Sequence, residues 1–171
     1  RFLEWSFQGG EHQYKWDKEK RNVAISWDDF LVNLDLIAPE SSLVFKNGER
    51  LLDIASEAII EKAVDYFNND SFWLVAPYKV FDSGVTRSIV PLPDGTDGLL
   101  VTYTTGGSTP GDSYLWMLQP NGFPKSFKMW VNIIPIGGIE ATWDDWAEME
   151  SGVFLPKSHE MGPMKLLMGD I

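Results

Sequence analysis

Hydrophobic and polar residues alternate along most of the chain, with the period of two that is typical of half-buried β-strands. Clear examples are Phe2–Phe7, Phe30–Ile37 and Phe127–Ile133. Lys46-Asn47-Gly48-Glu49 separates two such runs, and Asn-Gly tolerates the positive φ angles of a two-residue hairpin turn. The pattern predicts about ten short antiparallel strands, joined in chain order by turns.

One segment instead has helical spacing. Between Asp53 and Asn69 the apolar residues fall three or four positions apart, which predicts a helix of about four turns with one apolar face. That face is expected to comprise Ile54, Ala55, Ala58, Ile59, Ala63, Tyr66 and Phe67. Asp53 is the expected N-cap, and Asn69 the expected end. Strands are predicted to resume at 72–75 and 78–81.

These elements predict one mainly β domain over residues 1–171, with the helix 53–69 inserted between antiparallel strands. Because a long sheet tends to curl, we expect an open antiparallel half-barrel of roughly ten strands around one or more helices. The chain starts at Arg1 in the middle of a strand pattern and stops abruptly at Ile171. We therefore expect truncation at both ends, including removal of an export signal.

Charge and cysteine content exclude several classes of function. The chain has 14 Lys and Arg residues and 25 Asp and Glu residues, which gives a formal net charge of −11. Such a surface repels the phosphates of nucleic acids and anionic membrane surfaces, so no nucleic-acid partner is expected. There is no cysteine, which excludes disulfides, thiolate metal ligands and thiol nucleophiles.

Few residues are candidates for catalysis. The two histidines, His12 and His159, are far apart in sequence. Acidic residues cluster at Asp144, Asp145, Glu148 and Glu150, but neighbours along a strand point to opposite faces. Asp94–Gly98 is shorter than an EF-hand loop and lacks its closing Glu, so a plain turn is favoured over a calcium site. We predict no enzyme activity, no catalytic residues, no metal site and no cofactor.

Aromatic residues make up 13% of the chain and include 8 Trp, enough to fill a core or to line a cavity. In the strand predicted at Phe127–Ile133, one alternating set is wholly apolar and is expected to face inward. On the neighbouring strand either Trp116 or its alternates Leu115 and Met117 face inward, depending on register. The residues expected to line a ligand cavity are Trp116, Phe127, Met129, Val131, Trp73 and Phe67. A fully packed core remains the alternative.

Several motifs carry a family resemblance. They are Tyr14–Asp17, Asn69–Leu74, Pro77–Val85, Thr109–Tyr114 and Thr142–Trp146. Together they resemble exported Bacteroidetes-type proteins related to the outer-membrane lipoprotein-sorting (LolA/LolB-like) superfamily, over about residues 1–165. The resemblance implies an incomplete antiparallel barrel wrapped around helices, with an apolar cavity that accepts acyl chains. The chain departs from the pattern in having no helix before the first strand.

The predicted function is that of a non-catalytic binding or carrier domain for a lipid or an acyl-bearing hydrophobic ligand. We expect a monomer in the periplasm or associated with the outer membrane, with an envelope protein as a further candidate partner. Two alternatives remain open: a carbohydrate-binding or carbohydrate-processing domain that uses exposed Trp and acidic residues, and a purely structural envelope domain.

Overall fold

The computed structural model describes residues 2–52, 54–105, 108–169 and 171. The chain divides into two compact units, one running to Phe72 and including the segment from Leu167 onward, the other comprising Trp73–Leu166. The fold is mainly β with antiparallel sheets, and no sheet in the described ranges closes into a barrel. A single-domain organisation stays a prediction.

The first unit contains a six-stranded meander in which each strand pairs with the next. Its strands are β1 (Phe2–Phe7), β2 (His12–Asp17), β3 (Asn22–Trp27), β4 (Phe30–Asp35), β5 (Leu43–Lys46) and β6 (Glu49–Leu51). The hairpin turn predicted at Asn47-Gly48 is confirmed. Both residues have positive φ, 51° and 81°, and Lys46 pairs directly with Glu49.

One row of side chains crosses this sheet and forms its buried face. The register pairs each member with the next across β1 to β5, in the order Trp5, Tyr14, Ile25, Val32 and Val44. All five are buried. Because successive residues of a strand point to opposite faces, the alternation in the sequence already selects this row.

The helix α1 (Ile54–Val75) is longer than predicted. The expected end at Asn69 and the expected strand at 72–75 are both wrong, because the helix continues through these residues. The N-cap predicted at Asp53 lies outside the described residues. Asn has only a weak helix propensity, and tertiary packing of the continuing buried face outweighs it.

The buried face of α1 is also rotated relative to the predicted face. Its buried members, at helical spacing, are Ile60, Ala63, Phe67, Asp70, Ser71, Trp73 and Leu74. Ala55 and Ala58 are exposed and Ile59 is half-buried. The sequence window contained apolar residues on two adjacent faces, and a polar residue, Asp70, occupies part of the face that is buried.

The strand predicted at 78–81 is wrong as well. A 3₁₀ turn, Ala76–Tyr78, follows the helix, and Pro77 lies within it. Lys79 then pairs with Asp82, with 2.9 Å between Nζ and Oδ2. Proline and this short-range ion pair stabilise consecutive turns where the sequence suggested an extended segment.

The second unit contains a five-stranded antiparallel sheet of order β11-β10-β9-β8-β7. Its strands are β7 (Val85–Pro91), β8 (Asp97–Tyr103), β9 (Ser113–Leu118), β10 (Pro124–Trp130) and β11 (Ile139–Thr142). Two short pairs follow: β12 (Ala147–Glu148) with β13 (Phe154–Leu155), and β14 (Ser158–Met161) with β15 (Met164–Leu167). The strands of the described residues form separate sheets, so the expected half-barrel of roughly ten strands is not confirmed.

Phe127 lies at the centre of the second unit's core. It is fully buried and pairs directly with Trp116 on one side and with Ala141 on the other. Its ring contacts those of Trp116, at 5.0 Å between centroids, Trp143, at 5.6 Å, and Trp73, at 5.6 Å. Rings from β9, from the loop after β11 and from the end of α1 thus meet on the Phe127 side chain.

Replacing Phe127 with Ala should destabilise the protein by about 3–5 kcal/mol, because it removes a ring from a packed interior and leaves a cavity. Urea unfolding followed by circular dichroism measures this loss. Ile89→Ala, at an exposed position on β7, is the control and should cost less than about 0.5 kcal/mol. Equal unfolding midpoints for the two variants would contradict the central position of Phe127.

Candidate functional site

An exposed apolar segment of the second unit runs from Trp130, the last residue of β10, to Gly138, the residue before β11; residues 130–138 are here called the apolar loop. Ile133 and Ile136 are each 69% exposed, and Trp130 is 44% exposed. From Met129 to Ile139 the chain carries no charged residue, although its formal net charge is −11. Apolar exposure of this kind is typical of surfaces that bind a hydrophobic partner.

Hydrogen bonds hold this loop in a defined conformation. The backbone N–H of Ile134 donates to the Val131 carbonyl (3.1 Å), and that of Gly138 donates to the Met129 carbonyl (2.8 Å). The Trp130 indole packs over Gly137, where a Cβ atom would overlap the ring. Only glycine at position 137 allows this close approach.

A second connection supports the start of the loop. The backbone N–H of Asn132 donates to Oδ1 of Asp112 (2.9 Å), and the Asn132 side-chain amide donates to the Pro110 carbonyl (3.1 Å). Asp112 is buried, and its Oδ2 accepts a 2.5 Å hydrogen bond from the Thr109 hydroxyl. The link between β8 and β9 is thereby joined to the apolar loop at the same end of the sheet.

The predicted lining residues lie in different places. Trp116, Phe127, Met129 and Trp73 are buried in the second unit, and Trp116, rather than its alternates Leu115 or Met117, shares the face of Phe127. Val131 follows the end of β10 and is half-buried at the start of the apolar loop. Phe67 belongs to the first unit, where its ring lies 5.1 Å from that of Trp16.

Two surface depressions of the described chain include none of the predicted lining residues. One, of about 440 Å³, lies in the first unit beside Phe30 and Phe45. The other, of about 510 Å³, lies in the second unit between Asp94 and Glu140. Trp116 and Trp73 instead each pack against Phe127.

The first unit contains a buried carboxylate that the sequence analysis did not single out. Asp70 of α1 accepts hydrogen bonds at Oδ2 from the Tyr14 hydroxyl (2.5 Å) and from Nδ1 of His12 (2.6 Å). Its Oδ1 accepts another from the Asn69 amide (2.8 Å). The His12 ring stacks on Tyr66 at 3.9 Å. Only the register of a folded strand against the helix brings these groups together.

The surroundings of Tyr14 keep its hydroxyl group protonated. Burial, together with the neighbouring Asp70 carboxylate, raises the pKa of Tyr14 far above its ordinary value. The hydroxyl therefore remains protonated and donates to Asp70 at any physiological pH. The arrangement links β2 to α1 through a charge-assisted hydrogen bond.

His159 is fully buried in the second unit. Its Nδ1 donates to the Thr142 carbonyl oxygen (2.8 Å), and its ring lies 4.6 Å from that of Trp143. Burial lowers the pKa of His159, and the carbonyls of Thr142 and Trp73 oppose that effect only in part. The imidazole is thus a neutral member of an aromatic core.

Three aspartates of the second unit accept hydrogen bonds from nearby hydroxyl groups. Asp144 accepts a hydrogen bond from Thr142, and Asp145 accepts one from Ser158. Asp94 accepts from both the backbone N–H and the hydroxyl of Thr96, which lowers its pKa. These contacts are typical of turn-stabilising carboxylates.

Residues 2–52, 54–105, 108–169 and 171 include no group of three or more His, Asp and Glu side chains placed to hold a metal ion. Within the same described ranges, no helix combines the length and the apolar character needed to cross a bilayer. Comparisons of the chain with protein-family models, with curated proteins and with solved structures found no match.

Replacing Asp70 with Ala should destabilise the protein by about 3 kcal/mol, because it leaves the Tyr14 hydroxyl and His12 without their buried acceptor. The matched control is Glu4→Ala, which removes an exposed carboxylate that pairs with Lys15. An exposed pair of this kind contributes less than about 1 kcal/mol. Urea unfolding of both variants provides the measurement, and similar losses would argue against a structural role for Asp70.

His159 should make the stability depend on pH. Because its pKa is lowered in the folded protein, the unfolded chain binds more protons below the ordinary pKa of about 6.5. The free energy of unfolding should therefore fall as pH decreases from 7 to 5. In His159→Asn this decrease should be smaller, as measured by urea unfolding at each pH. An identical pH dependence in both proteins would contradict the assignment.

Proposed function

We propose that this chain is a non-catalytic binding module for a lipid or acyl-bearing ligand and that the apolar loop contacts the ligand. The observation that carries the proposal is the exposure of Ile133, Ile136 and Trp130 within a segment free of charge. Three large apolar side chains exposed to water in one loop are most simply explained as a binding surface for a hydrophobic partner.

The ligand's headgroup should be neutral or zwitterionic. The formal net charge of −11 opposes the approach of anionic lipids at low salt. The apolar loop contains neither Lys nor Arg that could pair with a phosphate or a carboxylate. The main attraction is therefore apolar contact with an acyl chain, which contributes a binding free energy of roughly 25 cal/mol per Å² of apolar area removed from water.

Binding of the ligand at the surface differs from the binding in an enclosed cavity that the sequence led us to expect. The aromatic side chains proposed to line that cavity fill the space between themselves, with Phe127 in contact with Trp73, Trp116 and Trp143. Filling of this kind favours binding at the surface over enclosure. It leaves the class of ligand unchanged.

The remaining parts of the proposal come from the resemblance to lipoprotein-sorting proteins. We propose that the sheets belong to a LolA/LolB-like half-barrel that curls around α1. We also propose that the chain acts as a monomer, exported to the periplasm or to the outer membrane, and that it has an envelope protein as a second partner. The meander order of both large sheets is compatible with that fold class.

The experiment is a calorimetric titration with a zwitterionic lysophosphatidylcholine, kept below its micellar concentration. The double variant Ile133→Asp, Ile136→Asp should bind at least about tenfold more weakly, because it replaces two apolar contacts with charges. Both positions are exposed, so the fold should be retained.

The matched control is Ile89→Asp on β7, a position 64% exposed in the same sheet but outside the apolar loop. It should bind as the wild type does. Equal affinity of the double variant and the wild type would refute the role of the loop. A wild type that binds no lysolipid would favour a structural envelope domain, and one that binds sugars on a glycan array instead would favour the carbohydrate alternative.

A further inference from the structure

We propose that Asp112 is a positioning residue for the apolar loop: it fixes the loop in its binding conformation without touching the ligand. The inference rests on the proposed function and deepens it, since it concerns how the same site is controlled. It follows from the hydrogen bonds that join two neighbouring connections at one end of the second unit's sheet.

Asp112 is well placed for this role because both of its carboxylate oxygens are engaged. Oδ1 accepts the backbone N–H of Asn132, and Oδ2 accepts the Thr109 hydroxyl. Its own backbone is fixed too, since its carbonyl accepts the N–H of Tyr103 (2.9 Å). The carboxylate therefore joins a rigid strand end to Asn132, the residue directly before the exposed Ile133.

The other end of the loop is fixed independently by the packing of Trp130 on Gly137. The segment that carries Ile133 and Ile136 is thus held between Asn132 and Gly137. A loop that is ordered before it binds loses less conformational entropy on contact with a ligand. Release of the Asn132 end should restore that cost and weaken binding, even though no atom of the contact surface changes.

The first measurement needs no ligand. In Asp112→Ala, amide hydrogen exchange at Ile134 should become at least about tenfold faster, because this N–H group donates within the part of the loop that has lost its support. Exchange at Gly138, at the end of the loop that is fixed independently, should stay near that of the wild type. In Asp112→Asn the rate at Ile134 should stay near that of the wild type, since the amide oxygen can still accept from Asn132.

The second measurement is the affinity for the same lysophosphatidylcholine. Asp112→Ala should bind about fivefold to tenfold more weakly than the wild type, and Asp112→Asn should restore the affinity to within about twofold. The control is Asn121→Ala. It also removes a side-chain acceptor of a backbone N–H, the Asn121 Oδ1 that binds the Phe123 N–H (3.0 Å), but in an exposed turn at the opposite end of the sheet.

The control separates positioning from general stability. Asn121→Ala and Asp112→Ala should both lower the melting temperature, but only Asp112→Ala should change exchange in the loop and the lysolipid affinity. Unchanged loop exchange in Asp112→Ala overturns the positioning role, whatever the wild type binds. If loop exchange rises in Asp112→Ala while the wild type binds no lysolipid, the loop is positioned by Asp112 and the proposed function is wrong.

Discussion

The packing around Phe127 is the interaction on which the second unit depends. Antiparallel pairing places its ring between Trp116 and Ala141, and Trp73 and Trp143 complete the contact from the helix end and from the loop after β11. This packing fixes β10 between β9 and β11. The apolar loop begins at the end of β10, so its exposed side chains have a rigid base.

The first unit is held by a different kind of contact. Its sheet presents a row of apolar and aromatic side chains, but α1 meets that row partly through Asp70, a buried carboxylate. Dispersion contacts are tolerant of small shifts, whereas a carboxylate that accepts from His12 and Tyr14 at 2.6 and 2.5 Å is directional. The polar contact therefore specifies the rotation of the helix.

Alternation in the sequence predicted that Phe127 and Met129 of β10 face the core, but it left open which residues of β9 share that face, and only the register selects Trp116. Alternation could not predict where a sheet ends, because it does not show which strands pair with each other.

Two errors in the predicted bounds have local causes. The helix α1 continues past Asn69 because tertiary packing outweighs helix propensity, and β10 ends at Trp130 because the Asn132 N–H donates to Asp112 instead of to a neighbouring strand. Asp70 could not be recognised, since its partners are 56 and 58 residues away in the chain. The charge-free run from Met129 to Ile139 was visible and could have indicated the loop.

The position of Trp130 has an optical consequence. Of the eight tryptophans, all of which lie in the described residues, Trp130 is the most exposed, whereas Trp5, Trp27, Trp73, Trp116 and Trp143 are buried. Its emission should lie at the red edge of the protein's fluorescence and should be the component most accessible to a dissolved quencher. The apolar loop therefore carries its own spectroscopic label, which reports on its surroundings without any chemical modification of the chain.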